Sequence, residues 1–203
     1  MSVICSFMVV NKIKILAASD LHGDSRLTKK LAIRAENEKV DLVVLCGDLT
    51  GFKESKDLIK PFKDKNQKVL LLPGNWDSFA TTDFLAQLYG VTNILGFFGA
   101  GSASTAIGPR SGISETELFN TLEKAHSGLK GIEKKIMLTH MHPSGGISEA
   151  IGFKGSDSIT KAIKKFKPDL LLHGHMHETF GFEDKIGNTR VINVGRNGVI
   201  LEI

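Results

Sequence analysis

Seven residues scattered along this chain are of types that bind metal ions: Asp20, His22, Asp48, Asn75, His140, His175 and His177. They fall in five short pieces: SDLHG at 19–23, CGDL at 46–49, PGNWD at 73–77, LTHMH at 138–142 and HGHMH at 173–177. In Asp20-x-His22 the two side chains of an extended segment point the same way, so a carboxylate and an imidazole can meet one cation. His175-x-His177 repeats the spacing, although a turn can aim its two rings at different ions. The two oxygens of Asp48 suit a bridge between ions. Asn75 offers a neutral oxygen where more negative charge would over-neutralise the site, and His140 adds an imidazole. A nitrogen and oxygen set without thiolate suits Mn²⁺, Fe, Co, Ni or Zn²⁺. Two such ions about 3.5–4 Å apart activate a water and clamp a phosphoryl group for in-line displacement.

Taken singly, each piece also fits a cap, a turn or a satisfied polar residue. Their conjunction carries the reading: six of the seven histidines lie in these motifs, and only His126 stands apart. Each piece follows an apolar, β-rich run, so several strands deliver ligands to one rim. The strands are read as KIKILAAS (12–19), VDLVVLCG (40–47), KVLLLPG (68–74), VTNILGFFGAG (91–101), KKIMLTH (134–140) and PDLLLHGH (168–175). Helices are read over 28–39, over 53–65 with a break or kink at Pro61, over Asp83 to Leu88, over 114–128 and over 156–167 up to Pro168. Ser114 and Glu117 form a capping box, and Gly128 suits the far end of that helix. TRVINVG (189–195) and GVILEI (198–203) read as a closing hairpin. Alternating strands and helices make an α/β protein, in which ligands bind beyond the carboxyl ends of the strands.

The length of 203 residues fits one domain over 1–203, and 41% apolar with 24% charged residues is ordinary for a soluble globule. A net charge of +4 and a pI near 9.0 favour anionic substrates slightly. No aromatic residues interleave with the basic ones to stack bases, so nucleic acid is an unfavoured partner. Two cysteines, Cys5 and Cys46, make no disulfide framework, and Cys46 reads as a small buried hydrophobe. VICSFMVV near the start is too short for a membrane span and lacks the features of a signal peptide. It fits the front of strand one or an extension ahead of it, and Met8 is an alternative start. The expected setting is a reducing cytoplasm, with no membrane partner. A homo-oligomer is compatible with the sequence.

The ordered set D-x-H, G-D, G-N, a later His and G-H-x-H resembles the calcineurin-like metallophosphoesterase superfamily, from Lys12 to the end. A closer likeness is to small prokaryotic phosphoesterases related to bacterial cyclic-AMP phosphodiesterase, carried by GFFGAGSASTAIGP (96–109) and GHMHETFGFEDKIGNTRVINVG (174–195). The resemblance implies a four-layer α/β/β/α sandwich. It implies two divalent ions, Mn foremost, with Asp20, His22 and His177 on one, Asn75, His140 and His175 on the other, and Asp48 bridging. It implies hydrolysis of a phosphate-ester small molecule by water activated on the metals.

Two positions depart from the pattern. Many members carry a His after G-N that protonates the leaving group; here Trp76 and Asp77 follow instead. That disfavours monoesters and leaves a phosphodiesterase as the first reading. The second departure is NVGR at 193–196, where N-P-G-S is frequent.

Asp77 and His142 are the candidates for the missing acid. Asp77 equally suits a turn or cap, and His142 an exposed loop. His173 reads as a buried neighbour of the ligands. Trp76 can stack a base or wall the pocket, and Arg110 can pair with phosphate from a glycine-rich flap at 99–113. With Asn75 and His140 they form the candidate substrate contacts. The alternative is a catalytically weak or inactive scaffold on the same fold, and a nuclease ranks last.

Overall fold

The computed structural model describes residues 12–51, 58–77, 84–89, 95–104, 112–151 and 153–203. Two sheets carry the chain. The first contains β1 (Lys14–Ala18), β2 (Leu42–Cys46), β3 (Val69–Leu72) and β12 (Val199–Glu202), in the order β12-β1-β2-β3. The second contains β4 (Phe84–Tyr89), β5 (Leu95–Ala100), β8 (Lys134–Thr139), β9 (Leu170–His173), β10 (Glu183–Ile186) and β11 (Thr189–Asn193), in the order β10-β11-β9-β8-β5-β4. The short strands β6 (Ala103–Ser104) and β7 (Gly112–Ile113) pair with each other.

The apolar runs are continuous because both faces of each sheet are covered. In β1, Ile15 and Ala17 face the second sheet, while Leu16 and Ala18 face helix α1 (Ser25–Asn37). In β2, Leu42, Val44 and Cys46 alternate with Val43 and Leu45 in the same way. From the second sheet, Phe97, Ile136, Leu138, Leu172 and Ile192 fill the space between the sheets. Phe98, Met137, Leu171 and Val191 turn outward beneath α3 (Glu115–Ser127) and α5 (Asp157–Phe166). The layers are therefore α/β/β/α. Cys46 is fully buried, and that burial pushes its thiol far above the usual range.

Helices α3 and α5 start where a serine accepts the third backbone N–H. Ser114 caps Glu117 N at 3.1 Å, and Ser156 caps Ile159 N at 3.2 Å. Gly128 stays right-handed at φ −72°, so α3 ends without the left-handed glycine cap expected of it. Three further expectations change. Asp83 to Leu88 is not helical: Phe84–Tyr89 is strand β4, paired antiparallel with β5 along its length. Pro61 does not kink a long helix but sits in the first turn of the short α2 (Lys60–Lys63), where its missing N–H costs nothing; residues 52–57 lie outside the described set. Strands β11 and β12 are not a hairpin. β11 joins β9 in parallel, whereas β12 crosses to pair antiparallel with β1 in the other sheet. The hairpin is β10–β11, closed by Gly187 and Asn188, with Gly187 at φ +61°.

Within each sheet the ligand-bearing strands run parallel: β1, β2 and β3 in one, β8 and β9 in the other. All five motifs therefore follow carboxyl ends of strands. Among the described residues, no helix is long and apolar enough to cross a membrane.

Candidate metal centre

The loops after β1 and β2 extend their pairing beyond the strands. Asp20 N donates to Gly47 O (2.9 Å), His22 N to Asp48 O (2.9 Å) and Gly23 N to Leu49 O (2.8 Å). Asp20, His22, Asp48 and, from the other sheet, His175 all adopt left-handed backbone, at φ 56°, 45°, 52° and 71°. Non-glycine residues there store roughly 1–3 kcal/mol each, and such strain collects at functional sites. The glycines between them make room. A Cβ on Gly74 would collide with Asp48 Oδ1, and one on Gly174 with Asp20 Oδ2.

The side chains converge as two overlapping groups, Asp20–His22–His177 and Asp20–Asp48–His140, with the ligand atoms of each within 4.8 Å of one another. Asp20 is common to both groups; Asp48 Oδ2, in the second, lies 3.4 Å from His140 Nε2 and reaches to 3.8 Å from His22 Nε2 of the first, while its Oδ1 accepts from Trp76 N at 2.9 Å. Asn75 Oδ1 is 2.9 Å from His140 Nε2, and His175 Nδ1 is 3.3 Å from the same atom. His22 Nε2 and His177 Nε2 approach to 3.4 Å. His140 Nδ1 faces the carbonyl of Cys46 at 2.9 Å, so Nδ1 donates there and Nε2 is aimed at the cluster.

This donor set fits cations. Asp20 Oδ1 is buried and accepts no hydrogen bond; it lies 3.5 Å from His177 Nε2. Three imidazole nitrogens and two carboxylates pointing at common space leave more acceptors than protons to share. The same carboxylates favour protonated imidazoles beside them. Burial would lower the pKa of His140, but Asp48 and Asp20 outweigh it and raise it to about 9. Burial would raise Asp20, yet His177 and His140 hold it at about 2. Contact with Asp20 also raises His177. By contrast, burial and then the neighbouring His140 depress His175 to about 3. His175 is thus a neutral imidazole, the form that ligates metal.

The cluster opens into a cleft of about 610 Å³, lined by His22, Asp48, Asn75, His175 and His177 together with Trp76, Phe153, Met176 and Glu178. Trp76 stands against His22, with ring centroids 6.2 Å apart and nearly perpendicular.

The two candidate acids are elsewhere. Asp77 is fully buried, and its carboxylate accepts from Gly74 N (2.7 Å), Leu49 N (3.3 Å), Thr50 N (2.8 Å) and Thr50 Oγ1 (2.9 Å). It clamps the Asp48 loop to the Asn75 loop and is not among the residues lining the cleft. His142 is neither an exposed loop residue nor open to the cleft. It is buried, its Nε2 donates to Phe153 O at 3.0 Å, and burial lowers its pKa. His173 is the buried neighbour expected, with Nδ1 3.0 Å from Gly174 O, and burial depresses it to about 4. Arg110 lies outside the described residues, as does 105–111 of the glycine-rich flap.

Several contributors lie outside the ligand positions read from the sequence. Asn193 donates to Met176 O (2.7 Å) and Thr179 Oγ1 (2.8 Å), and Thr179 Oγ1 meets Ser148 Oγ at 2.9 Å, so the His175–His177 loop is bound to its surroundings. The NVGR departure keeps this asparagine. Phe153 belongs to no motif, Met176 stands between the two ligand histidines of HGHMH, and Glu178 directly follows that piece.

The profile of the calcineurin-like phosphoesterase superfamily domain matches residues 13–200. An uncharacterized protein of Methanocaldococcus jannaschii is 30% identical over 205 aligned residues, covering 91% of this chain and 89% of that one. Among solved structures, the protein TT1561 of Thermus thermophilus superposes with a TM-score of 0.70 at 19% identity, over 92% of this chain and 91% of that chain. A dimetal phosphatase from Danio rerio gives 0.62 at 10% identity, over 90% and 87%. An archaeal phosphodiesterase gives 0.51 at 20% identity, over 90% and 84%. At such identities these structures speak for the shared fold.

Proposed function

This chain belongs to the calcineurin-like phosphoesterase superfamily, and from that premise we propose that it is a two-metal phosphodiesterase. Membership and the Asp/His groups make it a metal-dependent phosphoesterase with a candidate dimetal site. The observation that carries the proposal is Asp48 Oδ2 set between His22 and His140, with a further set of donors on each side. Asp20, His22 and His177 are assigned to one ion, Asn75, His140 and His175 to the other, and Asp48 to both. Divalent cations bound there supply an activated water and stabilise charge on the phosphoryl oxygens. Nitrogen and oxygen donors without thiolate suit Mn²⁺, with Fe, Ni, Co and Zn²⁺ also within range.

Preference for a diester rests on what surrounds the cleft. Neither Asp77 nor His142 faces it, and Trp76 occupies the place after Gly74-Asn75. A monoester of an ordinary alcohol needs a proton on its departing alkoxide, whereas a diester with an acidic alcohol suffers least from the lack of an acid. Asn75 and His140 orient the phosphoryl group in this reading, with Trp76 beside it. A reducing cytoplasm suits the buried free thiol of Cys46.

The test is metal-reconstituted protein assayed on bis-p-nitrophenyl phosphate, cyclic nucleotides and p-nitrophenyl phosphate. Faster turnover of diesters is expected. Preference for the monoester contradicts the diesterase assignment. No turnover with any of Mn²⁺, Ni²⁺, Co²⁺ or Zn²⁺ points instead to a scaffold on this fold.

A further inference from the structure

Residues 143–155 leave the end of β8 and return beside it. Ser156 N donates to His142 O (2.9 Å), and Ser144 N donates to Ser156 O (3.1 Å), so the ends of the loop are pinned together. Within it, Glu149 accepts from Gly145 N and from Gly155 N. The short helix α4 (Ile147–Ala150) lies in this loop, and Ser148 ties it to Thr179. The loop is thus a compact one held by its own contacts, of the kind that carries recognition.

Phe153 lies in this loop and on the wall of the cleft. At 55% it is the most exposed large apolar side chain among the described residues. Its backbone is held by His142, whose Nε2 donates to Phe153 O. Two more apolar side chains line the same cleft: Met176, a flexible residue that adapts to a ligand surface, and Trp76 beside His22. The charge on the cleft is one-sided. Among the described residues no lysine or arginine lines it, and Glu178 does. A second phosphate beside Glu178 would meet a carboxylate that no lysine or arginine among the described lining residues offsets. A singly charged diester meets the least repulsion.

We propose that Phe153, Met176 and Trp76 form a specificity pocket for an aromatic ester group of a monoanionic phosphodiester. It rests on the phosphodiesterase reading and adds a substrate class to that site. His142 acts as a positioning residue that fixes Phe153. Covering the exposed part of a phenyl-sized wall is worth about tenfold in affinity.

Trp76 is the only tryptophan of the chain, so its fluorescence reports on the cleft without turnover. Diphenyl phosphate and dimethyl phosphate, both monoanions, are titrated into the metal-loaded protein. Diphenyl phosphate is expected to bind about tenfold tighter, and Phe153→Ala to erase most of that difference. Phe182→Ala, which removes an exposed ring outside the cleft, should leave it intact. In parallel, kcat/KM is compared for phenyl and methyl p-nitrophenyl phosphate, which share a leaving group. A preference for phenyl expressed in KM and lost in Phe153→Ala supports the pocket. Equal binding of the two monoanions, or a preference that survives Phe153→Ala, overturns it while leaving the phosphodiesterase reading standing. Absence of hydrolysis with a retained phenyl preference in the titration overturns the phosphodiesterase reading and leaves the pocket as a binding site.

Discussion

The rims of the two sheets hold one cleft by different means. The four-stranded sheet delivers the negative charge of Asp20 and Asp48, together with the neutral amide of Asn75 and with His22 as its sole imidazole. Its loops are stitched by backbone hydrogen bonds and by one buried carboxylate, Asp77, which holds four donors. The six-stranded sheet delivers only imidazoles, His140, His175 and His177, supported by burial and by the polar chain Asn193–Thr179–Ser148. Charge and position are thus divided. One rim supplies carboxylate charge, and the other supplies imidazole nitrogens.

That division can be broken from either side. Replacing Asp77 by Ala removes the acceptor shared by three backbone N–H groups and the Thr50 hydroxyl, with an expected loss of about 3–5 kcal/mol. Chemical denaturation measures it, and Asp48 and Asn75 should lose their mutual position, so metal affinity falls as well. Asn193→Ala on the other rim removes two donated bonds and should cost about 2 kcal/mol. Metal release kinetics should show that it loosens the ion held through His177 more than it lowers global stability. An equal effect on all ions would blur the contrast between rims.

Within the six-stranded rim the histidines titrate in opposite senses in the metal-free protein. His173 is depressed to about 4 and His175 to about 3, so both are neutral when folded. Their stabilisation is present above the unfolded value of 6.5 and is lost as pH falls toward those folded values. His140, raised to about 9 by Asp48 and Asp20 against its burial, contributes fully below 6.5 and loses its contribution as pH rises through 9. Melting temperature without metal is therefore expected to peak near pH 6.5. Saturating metal should flatten the alkaline limb, because ions displace the proton that His140 holds. His173→Gln should make the acid limb shallower by a smaller amount.

The motifs were legible because each joins an apolar run to a polar residue that has no reason to sit at a strand end. The order of layers followed from runs such as LVVLC in β2, apolar on both faces. What was not legible depends on distant partners. The segment from Asp83 to Leu88 reads as a short helix until β5 is available to pair with its strand Phe84–Tyr89. The last two strands look like a hairpin, yet the turn at Gly195 to Gly198 carries the chain from one sheet to the other. Asp77 resembled a proton donor because its four hydrogen-bond donors come largely from backbone, which leaves no mark in sequence. Phe153 was invisible for a related reason: its place on the cleft comes from a loop closed by contacts to His142 and Ser156.

The division of labour meets at Asp48, whose Oδ2 lies 3.8 Å from His22 Nε2 on one rim and 3.4 Å from His140 Nε2 on the other. The most direct measurement is metal stoichiometry of the wild type and Asp48→Asn by elemental analysis after equilibration with Mn²⁺, with thermal melts confirming that the variant is folded. Two ions per chain are expected in the wild type and no more than one in Asp48→Asn, with phosphodiester hydrolysis lost in step. A folded Asp48→Asn that retains two ions and full turnover would contradict the bridging assignment on which the metal centre depends.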